Sequence, residues 1–203
     1  IALEDFNMSM TITAITHKSN AVMPSIISQV TPSESSVIKR VAYEPMYLNH
    51  LRNNLGLKCV KKVSLHEPLT NIRKVLFVQL EKGTSRTEVW RALNGASMLR
   101  ADSGKYVIAI DQDIDPDNAD SVFWALAYRA NPIEDMQILP HRARGHGPKA
   151  KGGPSEDSTL LIDATMKGDM PPLALPKKEY MEHAKEIWER LQLPTLTPQS
   201  PWH

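Results

Sequence analysis

The feature that most constrains the fold of this chain is a repeated exchange of strand-like and helix-like segments between residues 60 and 163. Short apolar runs that are typical of buried strands alternate with segments whose apolar residues recur at helical spacing. Strands are predicted at 60–65, 75–80, 106–110, 136–139 and 159–163, with one helix beginning after Ser85 and another at 117–130. This order predicts an α/β fold with a mostly parallel sheet flanked by helices and joined by right-handed crossovers.

The region before this alternation predicts one further strand and two helices. Ser9–Thr16 alternates apolar and polar residues, which indicates a strand with one covered face. Thr31–Glu34 has the composition of a helix start, with the threonine as N-cap and the proline as first helical residue. Pro45 is expected to end that helix, and a second short helix is expected to end at Gly56.

An acidic run, Asp111–Asp117, joins the predicted strand at 106–110 to the following helix and places four carboxylates at alternate positions. Such carboxylates repel one another and need compensation. Asp115 is expected to cap the helix, with Pro116 as its first residue. A calcium loop of EF-hand type is excluded, because Pro116 and Val122 stand where that loop needs Gly and Glu. A metal-nucleotide site of Asp-x-Asp type and a structural network of caps and salt bridges both stay open.

The other chemically active residues form no recognisable catalytic motif. The seven histidines and single cysteine show no metal-binding spacing, and there is no nucleophile elbow, phosphate-binding loop or Gly-x-Gly-x-x-Gly. Cys59 is predicted to be a small apolar residue. A net charge of +1 argues against a nucleic-acid partner. No apolar run suits a membrane span or a signal segment, so no membrane partner and a cytoplasmic location are predicted.

Several segments, taken in order, resemble the UbiD family of decarboxylases. They are Thr11–Lys18 with Met23–Pro24, the Asp-x-Asp-Ile-Asp-Pro segment from Asp111 to Pro116, Val122–Arg129, Pro132–Asp135, Leu161–Thr165, and Tyr180 with Ile187–Trp188. The resemblance covers essentially the whole chain and corresponds to roughly the C-terminal two-fifths of UbiD-type enzymes. It therefore implies that these residues belong to a longer polypeptide.

The resemblance implies a non-oxidative carboxy-lyase for a small aromatic or α,β-unsaturated carboxylic acid, with release and fixation of CO2 both open. The implied cofactor is prenylated FMN with a divalent metal, Mn or Mg, and K, all bound mainly outside this chain. No catalytic or metal-ligating residue is implied within it, so this part alone is expected to be inactive. Val22, just before the Met-Pro step, and His146, in a glycine-rich basic loop, are implied to line the substrate pocket. For His146, a solvated loop position is the alternative.

The same resemblance implies three parts: the end of the cofactor-binding domain at 1–30, an α/β oligomerisation domain at 31–169, and a proline-rich linker, helix and tail at 170–203. A homo-oligomer, dimer or hexamer, is implied, and the last helix packs either on its own domain or on another domain or subunit. Asp111, Asp113 and Asp115 are interpreted as a structural network, with Arg129 and Arg142 as candidate counter-charges. The alternative functions are a non-catalytic α/β assembly subunit and an Asp-x-Asp metal-dependent transferase.

Overall fold

A computed structural model of the chain describes residues 10–24, 33–66, 73–144, 153–168 and 176–195. Its elements follow in the order α1 (Glu34–Asn49), a π-helical turn (His50–Asn54), β1 (Val60–Leu65), β2 (Val75–Leu80), α2 (Arg86–Met98), β3 (Tyr106–Asp111), α3 (Ala119–Arg129), α4 (Pro132–Asp135), β4 (Met136–Ala143), β5 (Glu156–Ala164) and α5 (Lys178–Arg190).

The strands form one mixed sheet in the order β1-β2-β3-β5-β4. The three central strands, β2, β3 and β5, run parallel, whereas the edge strands β1 and β4 are antiparallel to their neighbours. The predicted α/β class is therefore confirmed, with parallel pairing confined to the centre. Central strands are covered on both faces, so their sequences are continuous apolar runs. The direction of an edge strand produces no comparable sequence pattern.

Each face of the sheet has its own apolar core. The C-terminal half of α1, the π-helical turn and α2 cover one face, where Tyr47, Leu51 and Leu93 are fully buried. On the other face, Val122 and Ala125 of α3 pack against residues from β2, β3 and β5. The side chains of β3 therefore point alternately into two different cores, which accounts for its continuous apolar sequence.

The prediction that Pro45 ends the first helix is wrong. Helix α1 begins after Ser33, whose hydroxyl accepts a hydrogen bond from the Ser36 amide, and it continues through Pro45 to Asn49. A proline inside a helix costs about 3 kcal/mol. Full burial of Tyr47 and Leu51 just beyond it contributes about 1.5–3 kcal/mol for each side chain. Tertiary packing therefore offsets the local penalty.

The predicted end at Gly56 is confirmed. Gly56 adopts a φ of 73°, and the Leu57 amide donates to the Leu51 carbonyl at 3.0 Å, which closes the helical segment. A residue with a side chain rarely adopts this conformation, so the glycine is required by the turn.

The strand predicted at Ser9–Thr16 is also wrong for its described part. Residues 10–16 pair with no strand, and Met10, Ile12 and Ile15 are 84%, 68% and 79% exposed. An alternating sequence forms a strand only where another strand satisfies its backbone groups. No described segment does so here.

Candidate functional site: a charged network at the carboxyl end of the sheet

The strongest grouping of charged side chains lies where β3 ends. Asp111, the last residue of β3, accepts a hydrogen bond from Nη1 of Arg129 at 3.0 Å. The same guanidinium donates to both carboxylate oxygens of Asp113, from Nη1 at 2.9 Å and from Nη2 at 2.6 Å. The side chains of Arg129 and Asp111 are 1% and 3% exposed, whereas that of Asp113 is 40% exposed. One buried guanidinium thus holds two carboxylates of the acidic run.

Helix α3 determines where that guanidinium lies. Asn118 caps the helix by accepting from the amides of Asp120 and Ser121, and Arg129 is the last helical residue. Packing of the apolar face of α3 on the sheet then brings the C-terminal turn over the end of β3. The centre of the Arg129 guanidinium also lies 5.1 Å from the centroid of the Trp124 ring, a cation–π contact.

Burial and pairing move the pKa values of the two carboxyl groups in opposite directions. Burial raises the pKa of Asp111, and this effect exceeds the opposing hydrogen bond from the Met166 amide and the positive charge of Arg129. Burial acts in the same sense on Asp113, but the hydrogen bonds and charge of Arg129 outweigh it, so the pKa of Asp113 is lowered. The more exposed aspartate is therefore the better stabilised anion.

A second ion cluster lies beside the first, at the carboxyl end of β5. The Lys167 ammonium is 3.3 Å from Oδ1 of Asp163 and 3.2 Å from Oδ2 of Asp135. Met166, the neighbour of Lys167, donates its amide to Asp111 at 2.6 Å and so connects the two clusters. No role is predicted from the sequence for Asp135, Asp163 or Lys167. The carboxyl ends of parallel strands meet at one edge of the sheet. The position of Asp163 near the end of a strand parallel to β3 could therefore have indicated that it lies close to Asp111.

The remaining predicted residues lie elsewhere. Asp115 contacts neither cluster; its Oδ1 accepts from the Asp117 amide at 3.0 Å. Its predicted role as helix cap is wrong, because Asn118 caps α3. Val22 is 91% exposed in the N-terminal described segment. His146 lies outside the described residues.

Arg142 is not a counter-charge of the acidic run. Its guanidinium donates from Nε to the Thr159 hydroxyl at 3.2 Å, and from Nη2 to the carbonyl oxygens of Ser97 and, at 2.9 Å, Arg100. These carbonyls lie at the C-terminal end of α2, beside the amino end of β5. Arg142 therefore caps a helix at the opposite end of the sheet.

The network does not have the composition of a metal or redox centre. In the part of the chain that the structure describes, no three His, Cys, Asp or Glu residues are arranged to hold a metal ion. Arg129, Lys167 and backbone amides already engage the buried carboxylates of both clusters.

Among the residues that the structure describes, no helix has the length and apolar character needed to cross a bilayer.

Comparison with known protein families identifies this architecture. Residues 36–164 match the family described as "3-octaprenyl-4-hydroxybenzoate carboxy-lyase C-terminal domain", the C-terminal domain of UbiD. The chain belongs to the UbiD family. The match contains the whole sheet, the Arg129 cluster, and the Asp135 and Asp163 carboxylates that pair with Lys167. It confirms the resemblance noted in the sequence.

Curated relatives of this UbiD-family chain are decarboxylases. Gallate decarboxylase of Lactiplantibacillus plantarum is 24% identical over 176 residues, which cover 78% of this chain and 34% of that protein. Phenolic acid decarboxylase of Streptomyces sp. (strain D7) is 34% identical over 59 residues, which cover 29% of this chain and 12% of that protein. The chain thus spans about a third or less of the length of the curated relatives that it matches.

Solved structures show the same fold. The UbiD-class enzyme HmfF from Pelotomaculum thermopropionicum, in complex with FMN, aligns with a TM-score of 0.59 and 20% identity over 74% of this chain and 34% of that one. The closed form of vanillic acid decarboxylase from Sedimentibacter hydroxybenzoicus aligns with a TM-score of 0.57 and 20% identity over 77% of this chain and 33% of that one.

Four of the segments that carry the family resemblance converge on the charged network. Asp111–Pro116 supplies the two aspartates, Val122–Arg129 supplies the guanidinium, and Pro132–Asp135 and Leu161–Thr165 supply the partners of Lys167. Segments that are separate in sequence are therefore adjacent in space at one end of the sheet.

Proposed function

We propose that this chain is the C-terminal part of a UbiD-type non-oxidative decarboxylase of aromatic or α,β-unsaturated carboxylic acids, located in the cytoplasm. The observation that carries the proposal is the family match over residues 36–164, together with relatives that are gallate and phenolic acid decarboxylases. In this proposal the chain shapes one wall of the substrate pocket and mediates assembly. CO2 release and CO2 fixation are both allowed directions.

The proposed cofactor is prenylated FMN with Mn or Mg and K, held by a part of the protein outside this chain. Neighbouring structures contain FMN or prFMN, which supports a flavin of this kind. The described residues do not fit its binding: their buried carboxylates form ion pairs within the chain, and no three of their His, Cys, Asp or Glu side chains are arranged to hold a metal ion. We therefore assign no step of the reaction to these residues.

Val22 and His146 are proposed as the pocket residues of this chain. The Val22 side chain is 91% exposed, so it is available to contact a ligand held by another domain. For His146 the proposal rests on the family resemblance alone. Substitution of Val22 by Ala and by Phe is expected to shift substrate preference toward larger and smaller acids respectively, while the folded domain is unaffected.

Two apolar surfaces support a role in assembly. In the first, the side chains of Val75, Tyr106, Leu160 and Ile138 form one row across four strands, and Tyr106 and Ile138 are 42% and 68% exposed. In the second, α5 carries apolar side chains along one stripe and has no buried residue. A helix gains most of its stability by burying its apolar face, so α5 is suited to packing on another domain or subunit.

The catalytic proposal is tested on the complete protein, purified after co-production with an enzyme that prenylates FMN. Intact mass under denaturing conditions is expected to lie well above the 22.8 kDa of this chain. The protein is then incubated with labelled bicarbonate and a panel of hydroxybenzoates, cinnamates and polycyclic aromatic acids. Incorporation of label into the carboxyl group of one class is expected, since a reversible decarboxylase exchanges that group with CO2.

The matched control is the same protein loaded with unmodified FMN, which is expected to give no exchange. If the loaded protein exchanges no acid of the panel, the decarboxylase proposal is contradicted. A mass near 22.8 kDa with no exchange would instead favour the non-catalytic assembly subunit.

The assembly proposal is tested by Ile138→Glu and by Ile187→Glu, each analysed by light scattering. A charge on an interface face is expected to lower the oligomer mass and leave the circular dichroism spectrum unchanged. Lys185→Glu, on the exposed face of α5, is the control and is expected to assemble normally. Unchanged oligomers for both isoleucine variants would show that neither surface is an interface.

A further inference from the structure

The ammonium group of Lys167 lies inside a cage of four oxygen atoms from three separate segments. It donates to the Arg129 carbonyl at 2.7 Å and to the Asp163 carbonyl. Carboxylate oxygens of Asp135 and Asp163 lie 3.2 and 3.3 Å away. The end of α3, the short helix α4 and the end of β5 thus meet at a single cation.

The carboxylates of this cage are buried, so they require a cation. The side chains of Asp135 and Asp163 are 4% and 2% exposed. Oδ1 of Asp163 also accepts from the amide and hydroxyl of Thr165, at 2.9 and 2.6 Å. Oδ1 of Asp135 accepts no hydrogen bond in the described part of the chain, and its ion-pair partner, Nη1 of Arg86, is 3.4 Å away. Without Lys167, Asp135 would keep only its ion pair with Arg86, and Asp163 would have no ion-pair partner in the described part of the chain.

The distances and ligand types select the class of cation. Mg²⁺ requires oxygens at about 2.1 Å and Ca²⁺ at about 2.3–2.6 Å. The oxygens here lie farther from the nitrogen, at hydrogen-bonding distance from an ammonium group. Carbonyl oxygens combined with carboxylates are also suited to a weakly hydrated monovalent ion such as K⁺.

We propose that these four oxygens form a binding site for a compact monovalent cation, and that the chain fills this site with its own Lys167 ammonium. Removal of the side chain then opens the site to free ammonium or potassium ions. Lys167 is accordingly a positioning residue. By holding the Arg129 carbonyl, it fixes the end of α3 and with it the guanidinium that pairs with Asp111 and Asp113. The proposal does not depend on the proposed enzymatic function.

The test is the melting temperature of the complete protein carrying Lys167→Ala, measured in ammonium chloride, potassium chloride or choline chloride at about 100 mM each. In choline chloride, a fall in melting temperature of roughly 4–8 °C relative to the unsubstituted protein is expected. Ammonium or potassium is expected to restore at least about half of that loss, because the ion binds only the folded state. Choline has the same charge but is too large for the cage.

The control is Lys105→Ala, since Lys105 forms an exposed ion pair with Asp157 at 3.0 Å and donates to no carbonyl of the described residues. It is expected to melt alike in all three salts. Equal melting of the Lys167 variant in ammonium, potassium and choline chloride would overturn the proposal, as would an equal ammonium effect on the Lys105 variant. Restoration by ammonium but not potassium, or the reverse, supports it and identifies the preferred ion.

A second measurement keeps the proposal testable if the Lys167 variant does not fold. Reductive methylation of the unsubstituted protein, followed by peptide mass spectrometry, compares the amines of Lys167 and Lys105, whose side chains are 32% and 44% exposed. With the ammonium held by four acceptors, Lys167 is expected to react at least about tenfold more slowly, beyond what this small difference in exposure produces. Equal rates would overturn the proposal.

Discussion

Two buried arginines at opposite ends of the sheet illustrate two ways of satisfying a guanidinium. Arg129 and Arg142 are 5% and 8% exposed as whole residues. At the carboxyl end of the central strands, Arg129 pairs with the carboxylates of Asp111 and Asp113. At the other end, Arg142 pairs with the last carbonyls of α2 and a threonine hydroxyl, all neutral groups. The first site is held by charge, and the second by hydrogen-bond geometry alone.

The difference determines what remains when each arginine is removed. Without Arg129, Asp111 would stay buried as an unpaired carboxylate, or take up a proton to avoid it. Without Arg142, only neutral acceptors would lose their donors, and each of them costs less to leave unsatisfied. Four predictions test this contrast.

The largest effect is expected for Arg129→Met, which keeps the side-chain volume but removes the charge. Breaking a buried ion pair from one side costs about 3–5 kcal/mol of unfolding free energy. Urea unfolding of the complete protein measures this loss. A change within the error of the extrapolation would show that the network does not stabilise the strand-to-helix junction.

A smaller loss, roughly 1–3 kcal/mol, is expected for Arg142→Met, because the carbonyls of Ser97 and Arg100 lose a donor but no charge is left unpaired. The loss should be the same at pH 5 and pH 8. If Arg142→Met proves as destabilising as Arg129→Met under the same conditions, ion pairing is not what distinguishes the two ends.

Asp113→Ala is expected to impair folding or assembly more than it alters the substrate pocket. Two hydrogen bonds to Arg129 are lost, but Asp111 still pairs with it, and the Asp113 side chain is 40% exposed to screening solvent. Because solvent screening weakens the ion pair, a loss of about 1–2 kcal/mol of unfolding free energy is expected. Unchanged melting and oligomer size with selective loss of turnover would refute the structural interpretation.

The smallest effects concern acid pH, where the two aspartates act with opposite sign. The lowered pKa of Asp113 means that its contribution is complete above the ordinary aspartate value of about 3.9 and is lost as pH falls through the lowered pKa. Burial raises the pKa of Asp111, so its protonation in the folded protein offsets part of that loss. Asp113→Asn is therefore expected to flatten the loss of stability on acidification, and Asp111→Asn to steepen it.

This prediction is checked by urea unfolding at a series of pH values between about 2.5 and 6. Asp102 and Asp157 also have lowered pKa values, because hydrogen bonds and nearby cations outweigh their partial burial. These two residues are expected to leave a residual dependence of stability on pH in both variants. Identical slopes for the two variants would contradict the opposite shifts.

The same contrast explains which parts of the site could be predicted. Arg129 lies 16 and 18 residues from its two aspartates, on the helix that the acidic run introduces, and it was expected as their counter-charge. The two carbonyl acceptors of Arg142 lie 42 and 45 residues away, at the C-terminal end of α2. A backbone carbonyl has no residue identity, so no sequence pattern marks it as a partner.

Helix boundaries also fall into two groups, those that adjacent residues set and those that tertiary packing sets. The Ser85 cap and the Gly56 end depend on a few adjacent residues, and both were predicted. Continuation of α1 through Pro45 depends on Tyr47 and Leu51 reaching the core, which a local rule for proline does not include. Lys167 is a further case, because its four acceptors come from three segments that only the packed sheet brings together.

Residue order and local periodicity were enough to predict the α/β class and the positions of the central strands. The family was indicated separately, by the resemblance of several motifs in the right order, and the match over residues 36–164 confirms it. Tertiary packing fixes the antiparallel edges, the partners of Arg142 and the oxygen cage around Lys167, none of which a local pattern predicts. The physical reason is the separation along the chain of the residues that take part in each feature. Periodicity records which face of an element is buried, whereas an ion pair or a helix cap between distant elements forms only after packing has brought their ends together.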